Sequence, residues 1–289
     1  MIPDRHSIDP IRQWNELVAA SPAYLRTING EDEVFWEQCA DSYMQNRTSG
    51  NHYTRVTRWL QERIPAEASL IEIGPGPGVF TGFLADRCAR VTAIEPSPAN
   101  SARLMREMSD RTNLEVKKEK WEDVAVAPLD VVFSAGTLYV FPDIEMALKK
   151  MLRHAEWKVL LVSMTDEQPL QHELAAALGL PTPVQSGLST ELFIEVLSRL
   201  NLSFVCDRFT DEQAYVYPNI DVLMELWQGS LPLQPEHRPA LEAFFRKSGF
   251  YGEKESRIEM KRRFSTTMVD ISAGGSRGCQ SGSLSPSGQ

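Results

Sequence analysis

Glycine stands at every second position after a short apolar run in Leu70-Ile71-Glu72-Ile73-Gly74-Pro75-Gly76-Pro77-Gly78. A chain of this kind must turn sharply at the end of a strand and can press its backbone against a ligand, because glycine has no Cβ to obstruct either. Val79, Phe80, Phe83 and Leu84 then recur at helical spacing. Strand, glycine turn and helix together open an α/β unit, a fold type that gathers ligands outside the carboxyl ends of its strands.

The rhythm continues. A second strand, Val91 to Ile94, ends at Glu95, and Ser97-Pro98 caps the helix that follows. Further strands are expected over Leu114–Lys120, Asp130–Phe133 and Trp157–Ser163. Asp143 caps a helix with an apolar stripe of Ile144, Ala147, Leu148, Met151 and Leu152. Near-continuous apolar strands suit a sheet covered on both faces, so the pattern predicts an α/β fold with a doubly wound, mostly parallel sheet.

Residues 1–66 read as an N-terminal helical cap, with helices starting at Asp9-Pro10 and expected over Glu31–Tyr43 and Tyr53–Arg63. Residues 67–272 read as the main domain, with a helical insertion at about 211–252. Its second half is expected to hold helices near 169–178, 189–200, 219–228 and 236–247, and strands over Ser203–Arg208 and Ile258–Ile271. The Gly/Ser-rich tail, 273–289, has the composition of a disordered segment.

Composition narrows the partners. A net charge of -9 over 289 residues disfavours a phosphate backbone as substrate. The basic runs Lys117-Lys118 and Lys261-Arg262-Arg263 read as solvated strand faces. Cys39, Cys88, Cys206 and Cys279 are scattered, which argues against zinc and a disulfide framework and fits a reducing compartment. No metal is expected. No signal peptide follows Met1 and no apolar run reaches membrane-spanning length, so a cytoplasmic, membrane-free protein is expected.

The glycine spacing discriminates between ligands. A dinucleotide fingerprint needs a third glycine one residue later, and a phosphate loop needs a lysine that Val79-Phe80-Thr81 lacks. Glu72 would be a poor neighbour for pyrophosphate but a good one for the amino group of an amino acid. Glu95 ends the second strand, where a carboxylate can accept both hydroxyls of a ribose. Its bland alternative is a surface acid at a strand end.

Glu72 to Gly78 with Glu95 resembles the first two motifs of class I S-adenosylmethionine-dependent methyltransferases. The resemblance covers roughly residues 69–165 and implies a Rossmann-like methyltransferase fold with an antiparallel last strand. It implies that Glu72, Gly74, Gly76 and Gly78 cradle the methionine part of S-adenosylmethionine, and that Glu95 holds its ribose. Trp121 would pack on the adenine, with Glu122 or Asp123 accepting from its amine. Ser134, Ala135 and Gly136 would lend backbone atoms near the sulfonium. Tyr139 either orients a nucleophile, as a catalytic residue, or merely packs. Ribosomal RNA adenine dimethylases resemble this first motif but carry an Asn/Asp-Pro-Pro-Tyr-like or Asn-Leu-Pro-Tyr-like segment where this chain has Ser134-Ala135-Gly136-Thr137.

Methyl transfer from a sulfonium requires positioning and dryness before it requires a catalytic side chain. Where the acceptor must lose a proton, His52, His172, Tyr43 or Tyr53 could take it, although each also suits packing. Aromatic walls for an acceptor are available from Trp36, Tyr43, Tyr53 and Trp59, and from Tyr215, Tyr217, Trp227, Phe244 and Phe245. The expected activity is methylation of a small organic molecule. Its rivals are an RNA or protein methyltransferase, a non-catalytic S-adenosylmethionine-binding protein, and an NAD-dependent enzyme. The oligomeric state is not readable.

Overall fold

The chain's most apolar segments become the middle of a sheet whose two faces are both covered. The computed structural model describes residues 8–30, 32–48, 50–166, 170–181, 188–217, 219–227, 231, 233–248, 250 and 257–273. Four helices come first: α1 (Pro10–Ala19), α2 (Pro22–Asn29), α3 (Asp32–Thr48) and α4 (Asn51–Arg63). The alternating region follows as β1 (Ser69–Ile73), α5 (Thr81–Arg87), β2 (Arg90–Ile94), α6 (Pro98–Glu107), β3 (Leu114–Lys117), β4 (Leu129–Ala135), α7 (Ile144–His154) and β5 (Ala155–Asp166). The chain continues through α8 (Leu170–Leu178), α9 (Thr190–Arg199), β6 (Phe204–Tyr217), α10 (Ile220–Trp227), α11 (Arg238–Lys247) and β7 (Ile258–Ser272).

The strand order is β3-β2-β1-β4-β5-β7-β6. Pairs among β1 to β5 are parallel, whereas β7 runs antiparallel to both β5 and β6. The predicted doubly wound, mostly parallel sheet with an antiparallel last strand is therefore present. From β1 the chain steps outward to β2, then returns to place β4 on the other side of β1. That reversal opens a crevice at the carboxyl ends of β1 and β4.

Alternation along each strand divides the core. Ile71, Ile73, Val132, Val159 and Leu161 face a layer built from α1, α7 and α9, with Trp14, Leu148 and Phe193. Leu70, Val131, Phe133, Leu160 and Val162 face α4 and α5, with Leu60, Phe80 and Leu84. Both sets are buried, which is why these strands read as unbroken apolar runs. A third cluster joins α8, α10 and α11 to the outer ends of β6 and β7 through Leu174, Leu223, Phe245 and Ile258.

Three local expectations are corrected. The helix after the glycine turn starts at Thr81 rather than Val79, because Gly78 has φ +101, outside helical space. α2 was not anticipated, although Pro22 at its first turn and the Ser21 hydroxyl, which accepts the Tyr24 N–H at 3.2 Å, mark its start. The helical insertion expected from residue 211 begins only at Ile220, since β6 continues to Tyr217. In that stretch Glu212 stands opposite Arg263 across the β6–β7 ladder, a favourable cross-strand pair. The tail beyond Ala273 lies outside the described residues.

Candidate functional site

A cavity of about 330 Å³ occupies the crevice. Its floor is the Gly74-Pro75-Gly76 turn, Glu72 and the Ala135-to-Val140 segment, and its roof is formed by side chains of α3 and α4. Gly74 and Gly76 hold φ of +63° and +57°, and Gly136 holds +63°. At Gly74 a Cβ would fall 2.5 Å from the Thr137 methyl, so both conformation and space demand glycine there.

Glu72 is 2% exposed, and its Oε2 has no hydrogen-bond partner. Burial pushes its carboxyl up to about 8; the Thr81 hydroxyl opposes the shift and the Glu95 charge adds to it. An unpaired buried acid facing a cavity costs stability unless a cation or donor arrives. Glu95 accepts the backbone N–H of Gly76 at 2.8 Å and that of Ser97 at 3.0 Å. Those bonds tie the end of β2 to the turn after β1, and Glu95 lines the cavity there.

Asn100 was missed by the sequence reading. It lies in the first turn of α6, 1% exposed, with both amide atoms unpartnered, and lines the cavity next to Glu95 and Pro96. Thr137 was also unassigned, and Trp36, expected as an aromatic wall, lines the cavity. The Trp36 ring reaches within 4.0 Å of where a Cβ on Gly76 would stand, and the Tyr43 hydroxyl does the same over Gly136. The only early signal for Asn100 was its place just after the Ser97-Pro98 cap.

Glu72, Gly74, Gly76, Glu95, Ala135, Gly136 and Tyr139 all line the cavity. Four proposed cofactor residues do not. Gly78 serves helix packing, since a Cβ there would meet Leu104 at 2.7 Å and Met108 at 3.0 Å. Ser134 is fully buried in β4 beneath the surface of the crevice. Trp121 is 2% exposed and packs in the core rather than in the cavity. Its indole N–H donates to the Ala147 carbonyl at 3.3 Å, and its ring meets His154 edge-on. The Lys150 ammonium donates to the carbonyls of Trp121, Glu122 and Val124, which ties this loop, Glu122 included, to α7.

Of the candidate bases, His52 and Tyr43 reach the cavity. His52 Nδ1 lies 3.0 Å from the Thr266 hydroxyl. Burial, aided by the Arg47 charge, lowers its pKa to about 3, so it is neutral near pH 7 and a weak base. Tyr53 stacks on Phe80 at 5.6 Å, and His172 sits on α8 away from the cavity. Among the aromatic walls, Trp36 and Tyr43 line the cavity, while Trp59 joins the α4 core. Tyr217 and Phe245 belong to the third cluster, with Tyr215 and Phe244 packed against it.

Residues 71–159 match the methyltransferase domain family. No curated protein matches the chain. Solved structures share the fold: YcgJ from Bacillus subtilis is 11% identical, with a TM-score of 0.51, covering 76% of this chain and 97% of its own. BH2331 from Bacillus halodurans is 10% identical, with a TM-score of 0.53, over 78% and 99%. A SAM-dependent methyltransferase from Thiobacillus denitrificans, solved with S-adenosyl-L-homocysteine, is 12% identical, with a TM-score of 0.52, over 83% and 98%. The unpartnered Oε2 of Glu72, the orphaned Asn100 amide and the glycine floor fit the amino acid and nucleoside ends of S-adenosylmethionine.

Proposed function

Because this chain carries a class I S-adenosylmethionine-dependent methyltransferase domain, we propose that it methylates a small organic acceptor held between the glycine turn and α3. The observation that carries this reading is the roof. Trp36 and Tyr43 close over Gly76 and Gly136, roofing a cavity of about 330 Å³, within the small-molecule range of about 300–1,000 Å³. The acidic composition supports it as well.

Bound S-adenosylmethionine supplies a methyl group on a sulfonium, open to in-line displacement by a nucleophile. The chain's own residues do the rest. Glu72 would pair with the amino group, Glu95 would accept ribose hydroxyls, and Asn100 would serve the nucleoside end. Trp36 and Tyr43 exclude water, which favours the charge-dispersing transfer. Tyr139, 39% exposed at the rim, would orient the acceptor. No helix among the described residues is long and apolar enough to cross a membrane. The free thiols Cys88 and Cys206 suit a reducing cytoplasm.

The test is incubation with methyl-labelled S-adenosylmethionine and, separately, a metabolite extract, total RNA and total protein. Label in low-molecular-mass products supports the proposal. Label confined to RNA or protein overturns it.

A further inference from the structure

Trp14, on α1, lines the cavity from the layer of α1, α7 and α9, whereas the roof comes from α3 and α4. Its side chain is buried, 3% exposed, and its ring meets the Phe193 ring of α9 at 5.7 Å. The indole N–H has no hydrogen-bond partner among the described residues. Indole offers one donor and no acceptor, and a buried tryptophan normally gives that donor a partner. Left orphaned, it loses the hydration it had in the unfolded chain, a cost removed only when an acceptor arrives.

Neighbouring contacts place this ring in the cavity. The side chain of Asn15 accepts the Ile144 N–H at 3.1 Å, which fixes α1 at the start of α7, just beyond the Ala135-to-Val140 segment. Leu188 lines the cavity and packs against the same cluster as Trp14. It lies two residues before Thr190, whose hydroxyl is 3.0 Å from that of Thr267 on β7. In the sheet β7 stands three places from β1 and four from β2, roughly 14–19 Å at about 4.8 Å per strand. Trp14, Val140 and Leu188 therefore form an arm of the cavity on the β5–β7 side, across from Glu95 and Asn100.

That arm is neutral. Among the described residues the cavity's charged side chains are Arg47, Glu72 and Glu95. Glu72 is on β1 and Glu95 follows β2. Arg47 rests on Met164, which shares its strand face with Leu160 and Val162, the face toward α4 and α5. Trp14 belongs to the opposite face.

We propose that Trp14 sets the acceptor specificity of this site: its indole N–H binds a neutral carbonyl oxygen at the end of the acceptor remote from the methylated atom. The substrates are then small, predominantly apolar molecules that carry such a carbonyl. This rests on the reading of the cavity as a methyl-transfer site for small molecules. The arm holds a hydrocarbon body by burial, and its one donor reads the oxygen. An analogue lacking the oxygen fills the same space but leaves the N–H unpaired.

The test uses the full chain saturated with S-adenosylhomocysteine and ligands that exchange C=O for C=CH2. Cyclohexanone is compared with methylenecyclohexane, acetophenone with α-methylstyrene, and benzophenone with 1,1-diphenylethylene, each followed by proton–nitrogen NMR of the indole groups. At least one ketone should bind tenfold or more tighter than its alkene, and it alone should move the Trp14 indole N–H resonance downfield. Trp14→Phe should bring that pair within twofold, with S-adenosylhomocysteine affinity kept within threefold. Should Trp14→Phe unfold, the wild-type resonance, assigned through its contacts with the Phe193 ring, decides alone. Absence of a ketone preference in every pair would overturn the proposal, as would a preference that survives in Trp14→Phe. A tenfold loss of S-adenosylhomocysteine affinity in folded Trp14→Phe would also overturn it, giving the indole to the cofactor. Label in small molecules without any ketone preference would sink this assignment alone, whereas label confined to RNA or protein would remove the reading beneath it.

Discussion

Thr137 stands directly over Gly74: its hydroxyl lies 3.2 Å from the Gly74 carbonyl oxygen, and its methyl occupies the space a Cβ at Gly74 would need. The end of β4 thereby braces the turn after β1. Gly74→Ala should lower stability by about 2–3 kcal/mol, combining the positive-φ cost with the clash. It should also weaken S-adenosylhomocysteine binding more than tenfold. Adding Thr137→Ala relieves only the clash, so chemical denaturation of the double variant should recover part of the loss. Wild-type stability in Gly74→Ala would contradict this account of the turn.

Glu72 gives stability a pH dependence. Its folded pKa of about 8 lies above the ordinary value of 4.5. Between the two, the unfolded chain releases the proton while the native chain keeps it. Its contribution is therefore fully present below about pH 4.5 and is lost as pH rises through about 8. Urea denaturation from pH 5 to 8 should show Glu72→Gln gaining on wild type as pH increases. Parallel curves would show that Glu72 titrates normally.

His52 works in the opposite sense. A folded pKa near 3 against an ordinary 6.5 means that its contribution is present above about pH 6.5 and is lost as pH falls toward 3. It should not act as a general base, so kcat plotted against pH should show no inflection near 6.5 that disappears in His52→Gln. An inflection abolished by that substitution would reinstate it as the base.

Trp121 should matter to stability and not to the cofactor. Trp121→Phe loses buried volume and the bond to Ala147, a cost of about 1–2 kcal/mol. S-adenosylhomocysteine affinity should stay within twofold in calorimetry. A tenfold loss would return the ring to the adenine.

The part of the fold governed by local pattern was legible in the sequence. Leu70–Ile73, Val91–Ile94 and Val131–Phe133 carry apolar residues toward both faces of the sheet, a pattern that suits covered parallel strands. Gly74 and Gly76 were legible because their backbone conformation is written in the residue type. Trp121 reads either way in the sequence, because an aromatic beside an acidic pair satisfies a motif and a core equally well; the structure places it in the core, bonded to the Ala147 carbonyl. Arg47 and Asn100 were invisible because nothing in their neighbourhoods along the chain shows that α3 and α6 bring them to one cavity. β6 was cut short for a related reason: the charge of Glu212 finds its partner only when Arg263 stands opposite.

Calorimetric titration of wild type and Glu95→Ala with S-adenosylmethionine, S-adenosylhomocysteine and NAD tests the central claim most directly. The account predicts saturable binding of both sulfur compounds, at least tenfold weaker in Glu95→Ala, and no binding of NAD. Folded protein that binds neither sulfur compound, or that binds NAD instead, would contradict it.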